Sequence, residues 1–137
     1  DQNGHVAEAS AANLFIVRNG VVITPPVTDN ILEGITRRTI LELVRDEVGI
    51  PAIERSIDRT ELSLAEEVFL AGTGVQIVSV TRIDHRPVGS GRMGPLTERL
   101  RKLNTAVVHG EVPRYRSWCW PVYANAVAGI AAPAAAR

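Results

Sequence analysis

The sequence is poor in the residue types that carry redox and nucleophilic chemistry. It has one cysteine, Cys119, and only 4% of its residues are aromatic. A single cysteine excludes an internal disulfide framework and a cysteine-based zinc site. Because Cys119 lies between Trp118 and Trp120, we expect it to fill the core rather than to act as a nucleophile. This composition fits a reducing compartment, and we predict a cytoplasmic protein.

Excess charge and long apolar runs are also absent. The 15 basic residues balance 15 acidic residues, and Lys102 is the only lysine among them. A balanced surface offers no basic patch for nucleic acid. No stretch reaches the roughly 20 apolar residues that a membrane-spanning helix needs. We therefore predict that neither nucleic acid nor a membrane is a partner.

Two further features of the sequence argue against a metal site and a phosphate-binding loop. His5, His85 and His109 are far apart and lack partners at metal-ligand spacing, so we predict no metal site. The glycine-rich loop 89–94 lacks the lysine and the strand–loop–helix context of a phosphate-binding P-loop. We interpret it as a connection between elements.

Strand and helix patterns alternate irregularly along the chain. We predict strands over 5–8, 13–18, 21–24, 52–57, 67–71 and 75–83, with a hairpin turn at Asn19-Gly20. A short helical turn is predicted over 62–65 and a turn at 85–87. Helices are predicted over 35–48 and from Pro95 to a stop at Gly110. The class is mixed α/β (α+β), with short strands around two main helices. We expect a domain over 1–123 and a disordered alanine-rich tail over 124–137.

Three segments stand out by their order and spacing. They read Glu8-Ala9-Ser10-Ala11-Ala12-Asn13-Leu14-Phe15, then Leu32-Glu33-Gly34-Ile35-Thr36-Arg37, then Gly72-Thr73-Gly74, with Thr24 between the first two. Each is a weak signal alone, because an exposed carboxylate, a glycine before a helix and a glycine-rich turn are all common. Together they resemble the signature of class IV (fold-type IV) aminotransferases that use pyridoxal 5'-phosphate (PLP). The likeness is greatest to the branched-chain amino acid type, and it covers all but the tail.

The resemblance implies a fold and a set of contacts. The fold would be the C-terminal large domain of the fold-type IV aminotransferases. Glu8 would face the ring nitrogen of PLP, and Ile35, Thr36 and Thr73 would hold its phosphate. Thr73 and Gly74 would bind the substrate carboxylate. These roles suit the residue types, since a carboxylate keeps the ring nitrogen protonated and a helix N-terminus attracts a phosphate.

The catalytic lysine of the family has no counterpart in this chain. In the family that lysine forms a Schiff base with PLP, and it precedes the position of Glu8 by a few dozen residues. That position lies before Asp1, the first residue of the sequence, and Lys102 is interpreted as a solvated lysine on a helix. The resemblance therefore implies a chain that is incomplete at its N-terminal side, either a fragment or one chain of a split enzyme. We expect it to contain no catalytic residue and to be inactive alone.

As part of the whole protein, the chain is predicted to transfer an amino group between a branched-chain or other hydrophobic L-amino acid and 2-oxoglutarate. The resemblance also implies a homodimer and a missing N-terminal part or companion chain. Two alternatives stay open. One is a D-amino acid transaminase, an (R)-amine transaminase or an aminodeoxychorismate lyase of the same fold. The other is a catalytically dead relative that serves in binding or assembly.

Overall fold

The computed structural model describes residues 1–122. Two α-helices, eight short strands and four shorter helical segments make up its regular structure. The helices are α1 (Ile35–Leu43) and α2 (Pro95–Val108). The strands are β1 (Glu8–Ala9), β2 (Ala12–Arg18), β3 (Val21–Thr24), β4 (Ala52–Glu54), β5 (Glu67–Gly72), β6 (Gln76–Ser79), β7 (Arg82–Ile83) and β8 (Arg86–Pro87). The predicted mixed α/β class is confirmed, whereas the predicted tail and Tyr123 lie outside the described residues.

One sheet organises the first part of the chain. Its strands follow the order β4-β3-β2-β5-β6, with β1 paired to the start of β2. All pairs are antiparallel except β3 with β4, which are parallel and are connected through α1. A parallel pair needs such a crossover, because its two strands run in the same direction. Strands β7 and β8 form a separate hairpin.

The central strand β2 is buried on both of its faces. Phe15 is fully buried and stacks on Phe69 of β5, with ring centroids 4.8 Å apart and planes 3° apart. Ile16, whose side chain points to the opposite face, is equally buried and belongs to a second apolar cluster. The other buried members of this cluster are Ile23, Ile57, Ala65, Val68 and Val88. Because both of its faces are buried, β2 is a rigid support for the residues at its ends.

Helix α1 is anchored by its apolar stripe and by one buried arginine. Ile40 and Leu43 are fully buried. Arg37 is also buried, and its Nη2 donates to Pro25 O at 2.8 Å and to Glu54 Oε2 at 2.6 Å. These bonds tie the first turn of α1 to the ends of β3 and β4. The predicted helix 35–48 is thus correct in extent, although its last turn, Val44–Val48, is a π-helical turn.

The first turn of α2 is held by a buried glutamate from β5. Glu67 Oε1 accepts from Leu96 N at 3.0 Å. Its Oε2 accepts from Thr97 N at 2.8 Å and from Thr97 Oγ1 at 2.6 Å. A carboxylate at a helix N-terminus satisfies amides that have no partner within the helix and interacts favourably with the helix dipole.

The chain divides into two compact units, Asp1–Arg101 and a second that begins at Lys102. In the second unit, a 3-10 helix over Pro113–Trp118 buries Tyr115. The Tyr115 ring lies 4.5 Å from the Trp118 ring, and Cys119 Sγ donates to Val107 O at 3.3 Å. Cys119 is half-buried in this packing. Over residues 1–122 no helix is both long enough and apolar enough to span a bilayer.

Three other element boundaries differ from the sequence predictions. The predicted strand 5–8 is reduced to a single bridge at His5 and the two residues of β1. The predicted strand 52–57 ends at Glu54. The predicted extended run 75–83 breaks into β6 and β7, and β8 lies where a turn was predicted at 85–87. The break falls at Val80 and Thr81, and the turn between β7 and β8 is formed by Asp84 and His85, whose φ values are 48° and 65°.

An ion-pair cluster lies at Glu61, within a 3-10 helix over Arg59–Leu64. Arg55 donates to both Glu61 oxygens, at 2.8 and 2.7 Å, and Arg18 Nη1 donates to Oε2 at 2.8 Å. The bidentate hydrogen bond from Arg55 lowers the pKa of Glu61 to about 2, although burial alone would raise it. Hydrogen bonds from Asp58 N and Arg18 also lower this pKa. The cluster joins β2, the segment after β4 and the 3-10 helix.

Glu61→Gln is expected to lower stability in a pH-dependent way. The lowered pKa means that the ionised Glu61 stabilises the fold above the ordinary value of 4.5, and that this contribution is lost as pH falls towards about 2. We expect a loss of about 1–3 kcal/mol at pH 7 and a much smaller loss near pH 2.5. Thermal unfolding of the parent and the variant across this range measures it.

The matched control for this prediction is Asp84→Asn. Asp84 pairs with Arg59 at 3.2 Å, but their side chains are 71% and 80% exposed. Such an exposed pair contributes little, so this variant should unfold like the parent at both pH values. If Glu61→Gln lowered stability equally at pH 7 and pH 2.5, the ionised Glu61 carboxylate would not be the source of the stabilisation.

Candidate functional site

The β1–β2 hairpin places Glu8 directly opposite Asn13. Its loop consists of Ser10 and Ala11, and the register pairs Ala9 with Ala12 and Glu8 with Asn13. Opposite residues in an antiparallel pair project to the same face. Asn13 is 5% exposed, and its Nδ2 donates to Glu8 Oε2 at 2.9 Å. The hairpin thus exposes the Glu8 carboxylate, and the buried Asn13 holds one of its two oxygens.

The segment before α1 completes the hold on this carboxylate. Leu32 N donates to Glu8 Oε2 at 3.1 Å, and Leu32 O accepts from Asn13 Nδ2 at 2.9 Å. Glu8 Oε2 therefore accepts two hydrogen bonds. Within residues 1–122 no side-chain hydrogen bond is directed at Oε1. One oxygen of the carboxylate is anchored, and the other remains able to accept from a bound group.

The start of α1 lies next to this carboxylate. Gly34 is the residue before the helix, and no side chain of the described residues caps the first turn. Ile35 is 76% exposed, and Thr36 is half-buried. The first amides of a helix have no acceptor inside it, and they carry the positive end of the helix dipole. This end of α1 can therefore receive an anion.

The β5–β6 turn reaches the same end of the sheet. Thr73 and Gly74 lie in this turn and are exposed. Asn13 pairs with Ala71, which brings the end of β5 beside the β1–β2 hairpin. A Cβ on Gly72 would lie 2.7 Å from Ala11 O, so only glycine allows this approach. The three segments that the sequence singled out thus meet where β2 begins.

Two contributors to this junction had no assigned role in the sequence-based interpretation. They are Asn13 and the backbone of Leu32, which together fix Glu8. The signal for Asn13 was available, because a five-residue separation across a two-residue loop makes two strand residues face each other. The contacts of Leu32 are formed by its backbone, so they could not be predicted from its residue type.

The other candidates from the sequence are Lys102, a metal site and Thr24. Lys102, the only lysine, is an exposed residue of α2. Among residues 1–122 no group of three or more histidines, cysteines, aspartates or glutamates is arranged to hold a metal ion. Thr24, the threonine between the first two motif segments, is fully buried, and its Oγ1 donates to Leu14 O at 2.8 Å. It joins β3 to β2 and faces no open site.

Residues 1–83 match the family model described as amino-transferase class IV. The chain belongs to the class IV aminotransferases. The matched residues contain all three segments of the junction. The family recognition made from the motifs is therefore confirmed.

Relatives of known name are similar over almost all of this class IV chain. A probable branched-chain-amino-acid aminotransferase of Aquifex aeolicus is 43% identical over 123 residues, which is 90% of this chain and 40% of the relative. The chain thus spans about two fifths of the length of this curated relative.

Solved structures of branched-chain aminotransferases share the fold of this class IV chain. The PLP-form (holo-form) structure of the Thermobaculum terrenum enzyme superposes with a TM-score of 0.84 at 43% identity, covering 86% of this chain and 38% of that one. The T.th. enzyme complexed with N-(5'-phosphopyridoxyl)-L-glutamate superposes with a TM-score of 0.82 at 38% identity, covering 86% and 40%. The predicted fold-type IV architecture is therefore confirmed.

Proposed function

We propose that the complete polypeptide carrying this chain is a PLP-dependent aminotransferase. It would exchange an amino group between a branched-chain or other hydrophobic L-amino acid and 2-oxoglutarate. Family membership supports the reaction class, and the names of the similar proteins support the amino donor. The phosphopyridoxyl-glutamate complex of the T.th. enzyme supports glutamate, and hence 2-oxoglutarate, as the second pair.

The observation that carries this proposal is the half-anchored carboxylate of Glu8. With Oε2 held by Asn13 and Leu32 N, Oε1 can accept a hydrogen bond from the N–H of a protonated pyridine ring. The helix start beside it can receive a phosphate dianion. PLP has two polar ends, a ring nitrogen and a phosphate. Glu8 and the start of α1 lie at one end of the sheet and fit these two groups.

Each residue of the junction then has a distinct task. Glu8 would keep the ring nitrogen protonated, and the N–H groups of Ile35 and Thr36 would hold the phosphate with the Thr73 hydroxyl. The N–H groups of Thr73 and Gly74 would orient the substrate carboxylate. When bound, PLP supplies an electron sink that makes the α-proton of the amino acid removable. The group that moves this proton would come from outside the chain.

The assay that tests this function offers several amino donors to the complete polypeptide with PLP and 2-oxoglutarate. We expect glutamate to form from L-leucine, L-isoleucine and L-valine. Turnover of D-alanine or an (R)-amine instead would identify a different branch of the family. Absence of both turnover and PLP binding would mean that the polypeptide is an inactive relative.

Covalent labelling locates the reacting lysine independently of turnover. Borohydride reduction of the PLP-loaded polypeptide followed by peptide mass mapping is expected to label a lysine outside this chain. Stoichiometric labelling of Lys102 would contradict the proposed site. We further propose that the enzyme is a cytoplasmic homodimer; sedimentation velocity and cell fractionation test these two points.

A further inference from the structure

Asn13 contacts both halves of the proposed cofactor site. It is almost fully buried, at 5% exposure, although it lies between two exposed segments. Its Nδ2 donates to Glu8 Oε2 and to Leu32 O, each at 2.9 Å. Both hydrogens of the amide are therefore used on one side of the residue, towards Glu8 and the segment that leads into α1.

The other side of the same amide determines the residue before α1. A Cβ on Gly34 would lie 2.2 Å from Asn13 Oδ1, whereas no other atom outside Asn13 would come closer than 3.5 Å. The Gly34 backbone has φ −63° and ψ 134°, which any L-residue adopts. Glycine is therefore required at this position by the oxygen of Asn13 and not by the backbone conformation.

We propose that Asn13 is a positioning residue that sets the separation of the two anchors of the cofactor. Its Nδ2 fixes the carboxylate for the ring nitrogen, and its Oδ1 lies against the residue from which the phosphate-binding helix begins. A rigid cofactor binds best when its two polar ends meet their partners at a fixed spacing. This inference rests on the proposed PLP function, and it concerns a residue that would not touch PLP itself.

The test is a double-mutant cycle on Asn13 and Gly34, with PLP dissociation constant and bound-cofactor absorption spectrum as readouts. Asn13→Ala and Gly34→Ala are each expected to weaken PLP binding about ten- to hundredfold and to shift the absorption band. In the Asn13→Ala background the added methyl of Gly34→Ala meets no obstacle. The second substitution should then change the dissociation constant less than about threefold.

Thr24→Val is the matched structural control. Thr24 is fully buried, and its Oγ1 donates to Leu14 O on the strand that also carries Asn13. The change removes a buried hydrogen bond from this strand without touching Glu8 or Gly34. It should lower thermal stability while leaving the PLP dissociation constant and spectrum unchanged. An equal effect of Thr24→Val on PLP binding would reduce Asn13 to a general stabilising role and overturn the proposal.

The outcomes separate this inference from the proposed function. A parent polypeptide that does not bind PLP would refute the proposed function, and this inference with it. A parent that binds PLP, combined with additive effects of Asn13→Ala and Gly34→Ala, would refute the positioning role alone. Strong non-additivity with an altered spectrum would support both.

Discussion

Glu8→Gln is expected to lower kcat/KM for transamination about a hundred- to thousandfold, with little loss of stability. The glutamine carbonyl can still accept from Asn13 Nδ2 and Leu32 N, as Glu8 Oε2 does at 2.9 and 3.1 Å. The amide group then occupies the position of Oε1. It donates where the carboxylate would accept, and it carries no charge to keep a ring nitrogen protonated. Steady-state kinetics with the preferred amino donor measures the loss.

Glu33→Gln is the matched control for this prediction. Glu33 is an exposed glutamate in the segment that leads into α1, and its replacement removes the same charge. We expect its kcat/KM to stay within about twofold of the parent, because Glu33 is exposed and makes none of the contacts that hold Glu8. Equal losses in the two variants would mean that Glu8 acts only through its negative charge and not through a hydrogen bond to the cofactor. An unaffected Glu8→Gln enzyme would remove Glu8 from the mechanism.

The elements that local patterns specify were predictable from the sequence. Strand β3 and the start of α1 at Ile35 were predicted correctly, because Asn19-Gly20 turns the chain and Gly34 precedes a periodic apolar stripe. The 3-10 helix over Arg59–Leu64 carries a readable signal too. Asp58 and Glu61 form a capping box, which marks a start before the predicted turn at 62–65.

The junction itself was predictable only as a set of residues. Motif order indicated that Glu8, Gly34 and Thr73 belong to one site, and the strand register brings their segments to one end of the sheet. The hold on Glu8 was not predictable, because it depends on a backbone amide of Leu32 and on which Glu8 oxygen receives it. Propensity describes single residues, whereas these contacts join segments up to 24 residues apart.

The turn between β7 and β8 was predicted one residue too late in the chain. Asp84 and His85 take positive φ without glycine, a conformation that non-glycine residues rarely adopt. The turn was therefore predicted at 85–87, next to the proline, although the preceding strand was correctly predicted to end at Ile83. The error concerns a hairpin that carries none of the junction residues, so it left the site prediction intact.

Glu67→Gln is expected to destabilise the region around the start of α2 by about 2–4 kcal/mol. Glu67 accepts three hydrogen bonds at 3.0, 2.8 and 2.6 Å while 8% exposed. A glutamine has one acceptor oxygen, so its amide would face Leu96 N or Thr97 N, and one buried donor would lose its partner. Faster hydrogen exchange at Leu96 and Thr97, with a lower unfolding temperature, measures this loss.

The neighbouring glutamate provides the comparison that isolates this effect. Glu66 is exposed, and its Oε1 accepts a single hydrogen bond from Asn19 N at 2.8 Å, which a glutamine carbonyl can also accept. Glu66→Gln removes the same charge one residue away, and we expect it to cost less than about 0.5 kcal/mol. If the two variants exchange and unfold alike, the carboxylate of Glu67 does not hold α2. If only Glu67→Gln opens the Leu96 and Thr97 amides, then β5, which ends at the Thr73 turn, also fixes the start of α2.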